Sequence, residues 1–488
     1  MELKRRSNLL RILAKGGVLT PSYLLDILSV AKIAGNKHIY FGSRQDILFH
    51  IPYTQTNAVA HELTKHKIEY IISGNDKRDN YQNIVSSYSS ADLMPATSWL
   101  NSGNYLKVLE QFEHKHLLRI NIADAKQNMV PLFYGNLNFV ASTHKNYWFL
   151  YLRLPSKYEL VRWPQLVADE EIATISAAIE KFFLQNTSLS IPDLIELVTR
   201  SYAFKFKSID DDLKLGDHAQ QEYEGFGRMH ASNRYWAGFY WRNNQYSISF
   251  LEECCKLCMQ TGISKISITP WKSYIIKDIE EKDLILWQRL LGSFGITMRH
   301  SALELNWHLP LLNEMAFKLK RFIVKEFDRA DVCVHGLSFG ITNGDEIPFC
   351  TIMIRIKYLF KLPLLGSCIA QYDVLFAKDF NPNTCEYIPI VSNCPKAKLP
   401  DVIDALTRRY FTELRVENLR VNTNKPKPPH AVVYQCKYCK TAYNEVFGDP
   451  LQNIKPETTF AQLPNSYVCA ICDAAKADFE MVEAVAII

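Results

Sequence analysis

Two C-x2-C hooks near the C-terminus, Cys436/Cys439 and Cys469/Cys472, carry the spacing in this chain that most directly implies chemistry. Twenty-nine residues separate them. Hooks at that distance can close a tetrahedral cage of four thiolates around one ion, a geometry that suits zinc or iron. Zinc would make the tail a structural or binding module. Iron would make it a one-electron carrier.

The residues around the hooks favour iron. Tyr434 precedes the first hook. Tyr443, Gly448-Asp449-Pro450, Lys455-Pro456, Phe460 and Leu463-Pro464 lie between the two. Tyr467 leads into the second, and Lys476 and Phe479 follow it. In these features residues 431–482 resemble rubredoxin. That family's pattern has a C-x2-C, a GDP turn, a KPGT-like loop, an F-x-x-LP step and an aromatic just before the second C-x2-C. The resemblance implies one iron ion held by Cys436, Cys439, Cys469 and Cys472. It also implies a small aromatic core beside the iron, whose exclusion of water tunes the potential. The chain departs from the pattern in four places. Lys440 and Asp473 stand where the family usually has glycine, Tyr467 where it has tryptophan, and Ala470 where it has proline. The residue after each hook commonly needs φ > 0, where glycine is cheapest and Asp is tolerated better than Lys. No departure removes a ligand.

The elements that must carry this tail are larger than one ordinary core. A length of 488 residues suggests two to four domains. Hydrophobic content of 48% and aromatic content of 12% describe packed globular structure. The sequence shows no secretory signal and no apolar run long enough to span a membrane, so the cytoplasm is the expected compartment. Eight further cysteines (254, 255, 258, 333, 350, 368, 385 and 394) are scattered through apolar sequence and read as buried free thiols. Residues 431–488 hold four basic and seven acidic residues, net −3; the remainder holds 52 and 44, net +8. An acidic carrier and a basic body fit docking between charged surfaces. Residues 421–430, with prolines at 426, 428 and 429, read as an extended linker.

The first 420 residues contain a repeat. His38–Pro52 and Lys265–Ile279 each run from a β-rich segment through a polar kink into a second β-rich segment. Amphipathic helix patterns flank both: 22–34 and 57–67 around the first, 251–260 and 283–294 around the second. The inferred unit is helix, strand, tight turn, strand, helix, strand. These segments resemble the ferredoxin-like half-domains of nitrite and sulfite reductases, whose R-Q step is reproduced by Arg44-Gln45. Leu118-Arg119-Ile120, Gln127-Asn128 and Asn136–Ala141 are similar to that family's basic strand, Q-N step and N-F-V-A strand. The resemblance implies that Arg44 and Arg119 face siroheme carboxylates or a small anion, which the bidentate fork of arginine suits.

The family's [4Fe–4S] cluster needs C-x5-C and C-x3-C in its second body domain, and the cysteines there (333, 350, 368, 385 and 394) are too widely spaced. Cys254 and Cys258 have the shorter spacing but fall on one face of a predicted helix. A [4Fe–4S] cluster and siroheme are therefore not expected. No phosphate-cradling loop, zinc-protease helix or serine elbow is present, and no Rossmann fingerprint, so electrons must come from another protein.

The expected fold is α+β: ferredoxin-like half-domains at 1–75 and 221–320, α/β body domains at 76–220 and 321–420, a linker at 421–430 and a rubredoxin-like domain at 431–488. The expected function is electron transfer with a redox protein partner, with neither nucleic acid nor membrane. The alternatives are a siroheme nitrite/sulfite reductase with its own rubredoxin, and a zinc-ribbon scaffold.

Overall fold

Two tight turns, 227 positions apart, organise the N-terminal four-fifths of the chain. In the first, Gly42 N–H donates to Asp46 O and Gln45 N–H to Gly42 O. In the second, Thr269 N–H donates to Ser273 O and Lys272 N–H to Thr269 O. Gln45 and Lys272 both sit at φ +60°. These turns are the two polar kinks of the sequence repeat, built with the same backbone.

The computed structural model describes residues 7–483 except 74–79, 95, 98, 158, 216–218, 220–222, 231, 299, 345–346, 363–366, 425–431, 446–447, 450–451 and 453; side chains 73, 359–369, 415–432 and 483 also lie outside the description. The chain forms two compact units, Met1–Arg408 and Arg409–Ile488. No described helix is long and apolar enough to cross a membrane.

The body opens with β1 (Ser7–Ile12), β2 (Val18–Leu19), α1 (Pro21–Ile33), β3 (His38–Phe41), β4 (Ile47–Pro52), α2 (Thr56–Lys65) and β5 (Tyr70–Ser73). Helix α1 starts where Thr20 Oγ1 accepts from Tyr23 N–H and Pro21 takes the first helical position. Next come β6 (Val85–Ser86), α3 (Ser102–Glu110), β7 (Ile120–Ala123), β8 (Leu137–Ala141), β9 (Tyr147–Leu152), β10 (Val161–Arg162), β11 (Leu166–Ala168), α4 (Ile172–Gln185), α5 (Ile191–Ser201) and β12 (Phe206–Lys207).

The second part holds β13 (Gly225–Arg228), β14 (Tyr235–Phe239), β15 (Tyr246–Ser247), α6 (Ile248–Gln260), β16 (Ile266–Ile268), β17 (Tyr274–Ile279) and α7 (Leu284–Ser293). It continues with α8 (Ala302–Leu305), β18 (Trp307–His308), α9 (Glu314–Arg329), β19 (Phe339–Thr342), β20 (Ile352–Leu362), β21 (Ser367–Ala377), β22 (Tyr387–Cys394) and α10 (Leu399–Asn424).

Two five-stranded antiparallel sheets run β15-β3-β4-β1-β5 and β13-β14-β17-β16-β2. Each has lent a strand to the other. Tyr246 pairs with Ile39, and Leu19 pairs with Ile266. The lent strands lead directly into α1 and α6, which pack into one core with both sheets. The expected unit order holds for α1-β3-β4-α2-β5. Among the described residues no strand after α7 joins the second of these sheets; β13 takes that edge.

The other two sheets share a pattern: β6, β7 and β8 are parallel and then turn antiparallel through β9 and β11, as β18, β19 and β20 do through β21 and β22. Buried Gln45 joins three of the four sheets. Its Nε2 donates to Ser86 O (2.9 Å) and Ile268 O (2.8 Å), and its Oε1 accepts from Ser86 N–H.

The linker reading needs one correction. Val421–Asn424 close α10 instead of beginning an extended spacer; residues 425–430 lie outside the described residues.

The C-terminal unit ends in a small sheet, β24-β23-β25, made from β23 (Val432–Cys436), β24 (Ala442–Tyr443) and β25 (Phe479–Glu483).

Candidate metal centre and the body cavity

Strand β23 delivers Cys436 to a knuckle that turns back into β24. Cys436 N–H donates to Thr441 O (2.8 Å) and Lys440 N–H to Cys436 O (3.0 Å). The second hook repeats this bond for bond: Cys469 N–H donates to Ala474 O (2.8 Å) and Asp473 N–H to Cys469 O (3.0 Å). Lys440 has φ +62° and Asp473 φ +56°. The left-handed conformation is therefore kept without glycine, at a cost of about 1 kcal/mol at each site.

The two knuckles aim four sulfurs at one point. Cys436 Sγ lies 3.6 Å from Cys472 Sγ, and Cys439 Sγ lies 3.4 Å from Cys469 Sγ. All four are within 4.8 Å of one another. A regular tetrahedron with bonds of about 2.3 Å has edges of about 3.8 Å, so one ion fits. Among the described residues, this is the only group of three or more His, Cys, Asp or Glu ligand atoms drawn together in this way. Thr441 Oγ1, 3.1 Å from Cys439 Sγ, pulls that thiol down to about 6, toward the thiolate a metal needs.

The centre has a buried side and an open side. Cys436 and Cys469 are buried, Cys439 is half-buried and Cys472 is exposed. Tyr438 and Ile471, one in each hook, are 71% and 72% exposed. Tyr443, Phe460, Leu463 and Tyr467 form a core with Tyr434 and Phe479 packed on it. The Tyr434 and Phe460 rings stack with centroids 4.0 Å apart. Gly448 turns at φ +66°, and a Cβ there would lie 2.5 Å from Lys455 O. Tyr467 hydroxyl and Gln452 Nε2 both reach Asp449 Oδ2.

In the body, Arg44 and Arg119 line the same cavity of about 410 Å³, with Arg11, Lys272, Asp46 and His308. Arg44 donates to Asn83 O (3.1 and 2.6 Å), Ile120 O (3.1 Å) and Asn121 Oδ1 (3.3 Å). It thus fastens the turn to β7. Arg11 Nε lies 2.7 Å from Asp46 Oδ2, and Lys272 Nζ donates to Leu309 O. The His308 ring sits 3.9 Å from the Trp271 ring. Burial, with Lys272 beside it, lowers the His308 pKa to about 3. Trp271 donates its indole N–H to Met129 O (3.0 Å) and packs with Phe349, Tyr223 and Leu305.

Three comparisons bear on these two regions. The family model described as Rubredoxin matches residues 433–479. Rubredoxin 4 of Rhodococcus sp. (strain Q15) is 43% identical over 51 residues, which are 10% of this chain and 85% of that protein. The chain belongs, through its C-terminal domain, to the rubredoxin family. High molecular weight rubredoxin of Moorella thermoacetica is 47% identical over 49 residues, and Probable Rubredoxin-1 of Methanocaldococcus jannaschii is 46% identical over 39. These cover 10% and 8% of this chain, but only 21% and 49% of those relatives. The rubredoxin domain is thus a small share of the chain.

The rest has a different likeness. A solved structure of the Mycobacterium tuberculosis NirA protein superposes with TM-score 0.62 at 14% identity, over 82% of this chain and 80% of that one. The body has a NirA-like fold.

Outside the rubredoxin domain, the described cysteines are not gathered. Cys254, Cys255 and Cys258 are buried in α6. Cys350 Sγ lies 3.8 Å from the Tyr387 hydroxyl, and Cys385 Sγ lies 3.8 Å from Phe133 O. Burial pushes the Cys350 thiol far up and the Cys385 thiol up to about 11. Tyr134 and Tyr387 share a hydroxyl–hydroxyl bond of 3.0 Å beside them. The Cys368 side chain lies outside the described residues.

Sequence reasoning did not single out Arg11, Asp46 or Lys272 as cavity residues. Lys272 had a signal, since it is the repeat partner of Gln45 at the same turn position. His116 is buried, 3.5 Å from Glu180 and against Phe112.

Proposed function

We propose that this chain is a cytoplasmic electron-transfer protein whose rubredoxin domain carries single electrons. We further propose that its reductase-like body docks a redox partner and works without siroheme or a [4Fe–4S] cluster. The observation carrying this reading is the set of four sulfurs at tetrahedral spacing in two matched knuckles. Iron bound by Cys436, Cys439, Cys469 and Cys472 would supply one-electron chemistry between Fe3+ and Fe2+. The chain's own residues do the rest. The Tyr434–Phe460 stack and its neighbours keep water from the buried side. Exposed Cys472, between Ile471 and Asp473, leaves a short path to a partner's surface.

The scattered body cysteines support a body without a cluster, and the net charges of −3 and +8 support docking between charged surfaces. The reductase-like fold makes nitrate or nitrite assimilation a plausible setting, with the partner reductase on another chain; this step is an analogy of fold.

The visible spectrum and metal content of the purified protein test the reading. A red oxidised form that bleaches on one-electron reduction, with one iron per chain, is expected. A colourless protein with stoichiometric zinc, from iron-replete cells, overturns it in favour of a zinc ribbon. One observation favours a second reading, a siroheme reductase with its own rubredoxin: Arg44 and Arg119 line one cavity of a reductase-like fold. Haem-like absorbance in a chain ended after Arg420 would establish it.

A further inference from the structure

The two hooks of the metal centre share one backbone and differ in a single hydroxyl. Thr441 and Ala474 hold the same place, five residues after the first cysteine of their hook and two after the second. Each offers its carbonyl to the first cysteine: Thr441 O accepts from Cys436 N–H and Ala474 O from Cys469 N–H, both at 2.8 Å. Each also turns its backbone N–H toward the second sulfur, Thr441 to Cys439 and Ala474 to Cys472. The side chains then part company. Thr441 Oγ1 lies 3.1 Å from Cys439 Sγ. Ala474 has only a methyl group, and among the described residues no side-chain oxygen is bonded to Cys472 Sγ.

A free thiol and a hydroxyl can each donate to the other. A metal-bound sulfur has lost its proton, so with iron in place the hydroxyl must be the donor. Charge then fixes what that bond does. Four thiolates around ferric iron carry a net charge of −1, and around ferrous iron −2. A donated hydrogen bond is stronger to the more negative acceptor, so it favours the reduced form. The electron goes to the iron and no proton moves, because the hydroxyl keeps its hydrogen in both states. Hydrogen bonds to the ligand sulfurs are among the levers that set the potential of an iron–thiolate centre.

We propose that Thr441 sets the reduction potential of the iron. Its hydroxyl donates to Cys439 Sγ and raises that potential, while Ala474 leaves the matching sulfur, Cys472, without such a bond. Thr441 acts through Cys439 and is a positioning residue, not a ligand. The inference rests on iron as the ion in the four-sulfur site. A Thr441 that served only to shape the knuckle could become Val with no change in potential.

The test uses the full chain loaded with iron. The midpoint potential is read by titrating the visible band in the unaltered protein and in Thr441→Val, Thr441→Ser and Ala474→Thr. Val has the shape of threonine without the hydroxyl. At a fixed electrode potential, Thr441→Val should lower the ratio of ferrous to ferric protein about three- to tenfold, a fall of about 30–60 mV at about 59 mV per tenfold for one electron. Its sulfur-to-iron absorption band should move to longer wavelength, because a sulfur without its hydrogen bond gives up an electron more readily. Thr441→Ser keeps the hydroxyl and should stay within about twofold of the unaltered protein. Ala474→Thr adds the missing hydroxyl to the second hook and should raise the ratio about threefold or more.

The inference fails if Thr441→Val shifts the ratio by less than about twofold, or if Thr441→Ser falls as far as Thr441→Val. A ratio that does not rise in Ala474→Thr overturns it as well. Should Thr441→Val not hold iron, Ala474→Thr decides alone, since it leaves the existing bond in place. An iron protein whose potential does not move removes this inference and leaves electron transfer standing. A protein that takes up only zinc, as purified and after exchange against Fe2+, overturns both.

Discussion

Cysteine does two opposite jobs in the two units of this chain. In the C-terminal unit, four thiols converge and two of them reach the surface. In the body, the thiols of Cys254, Cys255, Cys258 and Cys350 are buried and raised. Cys254 Sγ lies 3.3 Å from the Tyr274 hydroxyl and packs among Leu and Ile side chains. The difference lies in backbone, not in residue type. A knuckle that returns its own N–H to a carbonyl five residues on turns both sulfurs of a hook to the same side. A helix presents i and i+4 sulfurs to a packed core.

The sharpest way to break this contrast is to exchange the losses. Replacing any one of Cys436, Cys439, Cys469 or Cys472 with Ala should abolish the iron and its colour, measured by visible absorption and metal analysis. Cys254→Ala or Cys350→Ala should leave iron content untouched and destabilise the body by about 1 kcal/mol. Iron lost on body substitution would dissolve the distinction.

The next largest effect belongs to His308, where burial acts on a base as it does on the body thiols. Folded, the ring stays neutral down to about pH 3; unfolded, it protonates near 6.5. Stability from this group is complete above pH 6.5 and drains as pH falls toward 3, by at most roughly 4–5 kcal/mol. Chemical denaturation between pH 7 and 4 should show that slope, and His308→Phe should flatten it.

Gly448→Ala should destabilise the C-terminal unit by about 2–3 kcal/mol, because the new Cβ meets Lys455 O in a left-handed turn. Thermal bleaching of the iron band would record it. Smallest of all, Lys440→Gly should raise the bleaching temperature, by relief of up to about 1 kcal/mol. A fall there would mean that the Lys440–Glu480 ion pair, 3.1 Å long, outweighs the strain.

The parts legible in the sequence were those fixed by near neighbours. The hooks, the glycine turn, the need for φ > 0 at Lys440 and Asp473, and the 227-residue offset of the two kinks all depend on a few adjacent residues. What escaped depends on distant ones. Strands β2 and β15 are two residues each, too short to show a period, and exist only because β16 and β3 offer an edge. Arg44 and Arg119 do share a cavity, but the sequence cannot show that carbonyls of Asn83 and Ile120 occupy the Arg44 fork. His116, among charged neighbours in sequence, is buried against Glu180, far along the chain.

The lent strands also set a timetable for synthesis. Ser247 must reach His38 before the first sheet has its fifth strand. A ribosome adding about 5–20 residues per second needs roughly 10–40 seconds to cover that stretch. For that interval the newborn N-terminal sheet carries an open edge at β3 and an α1 whose partner helix has not yet been made. The body therefore offers no natural place to be cut in half, and each half is most exposed to mispairing while it waits for the other.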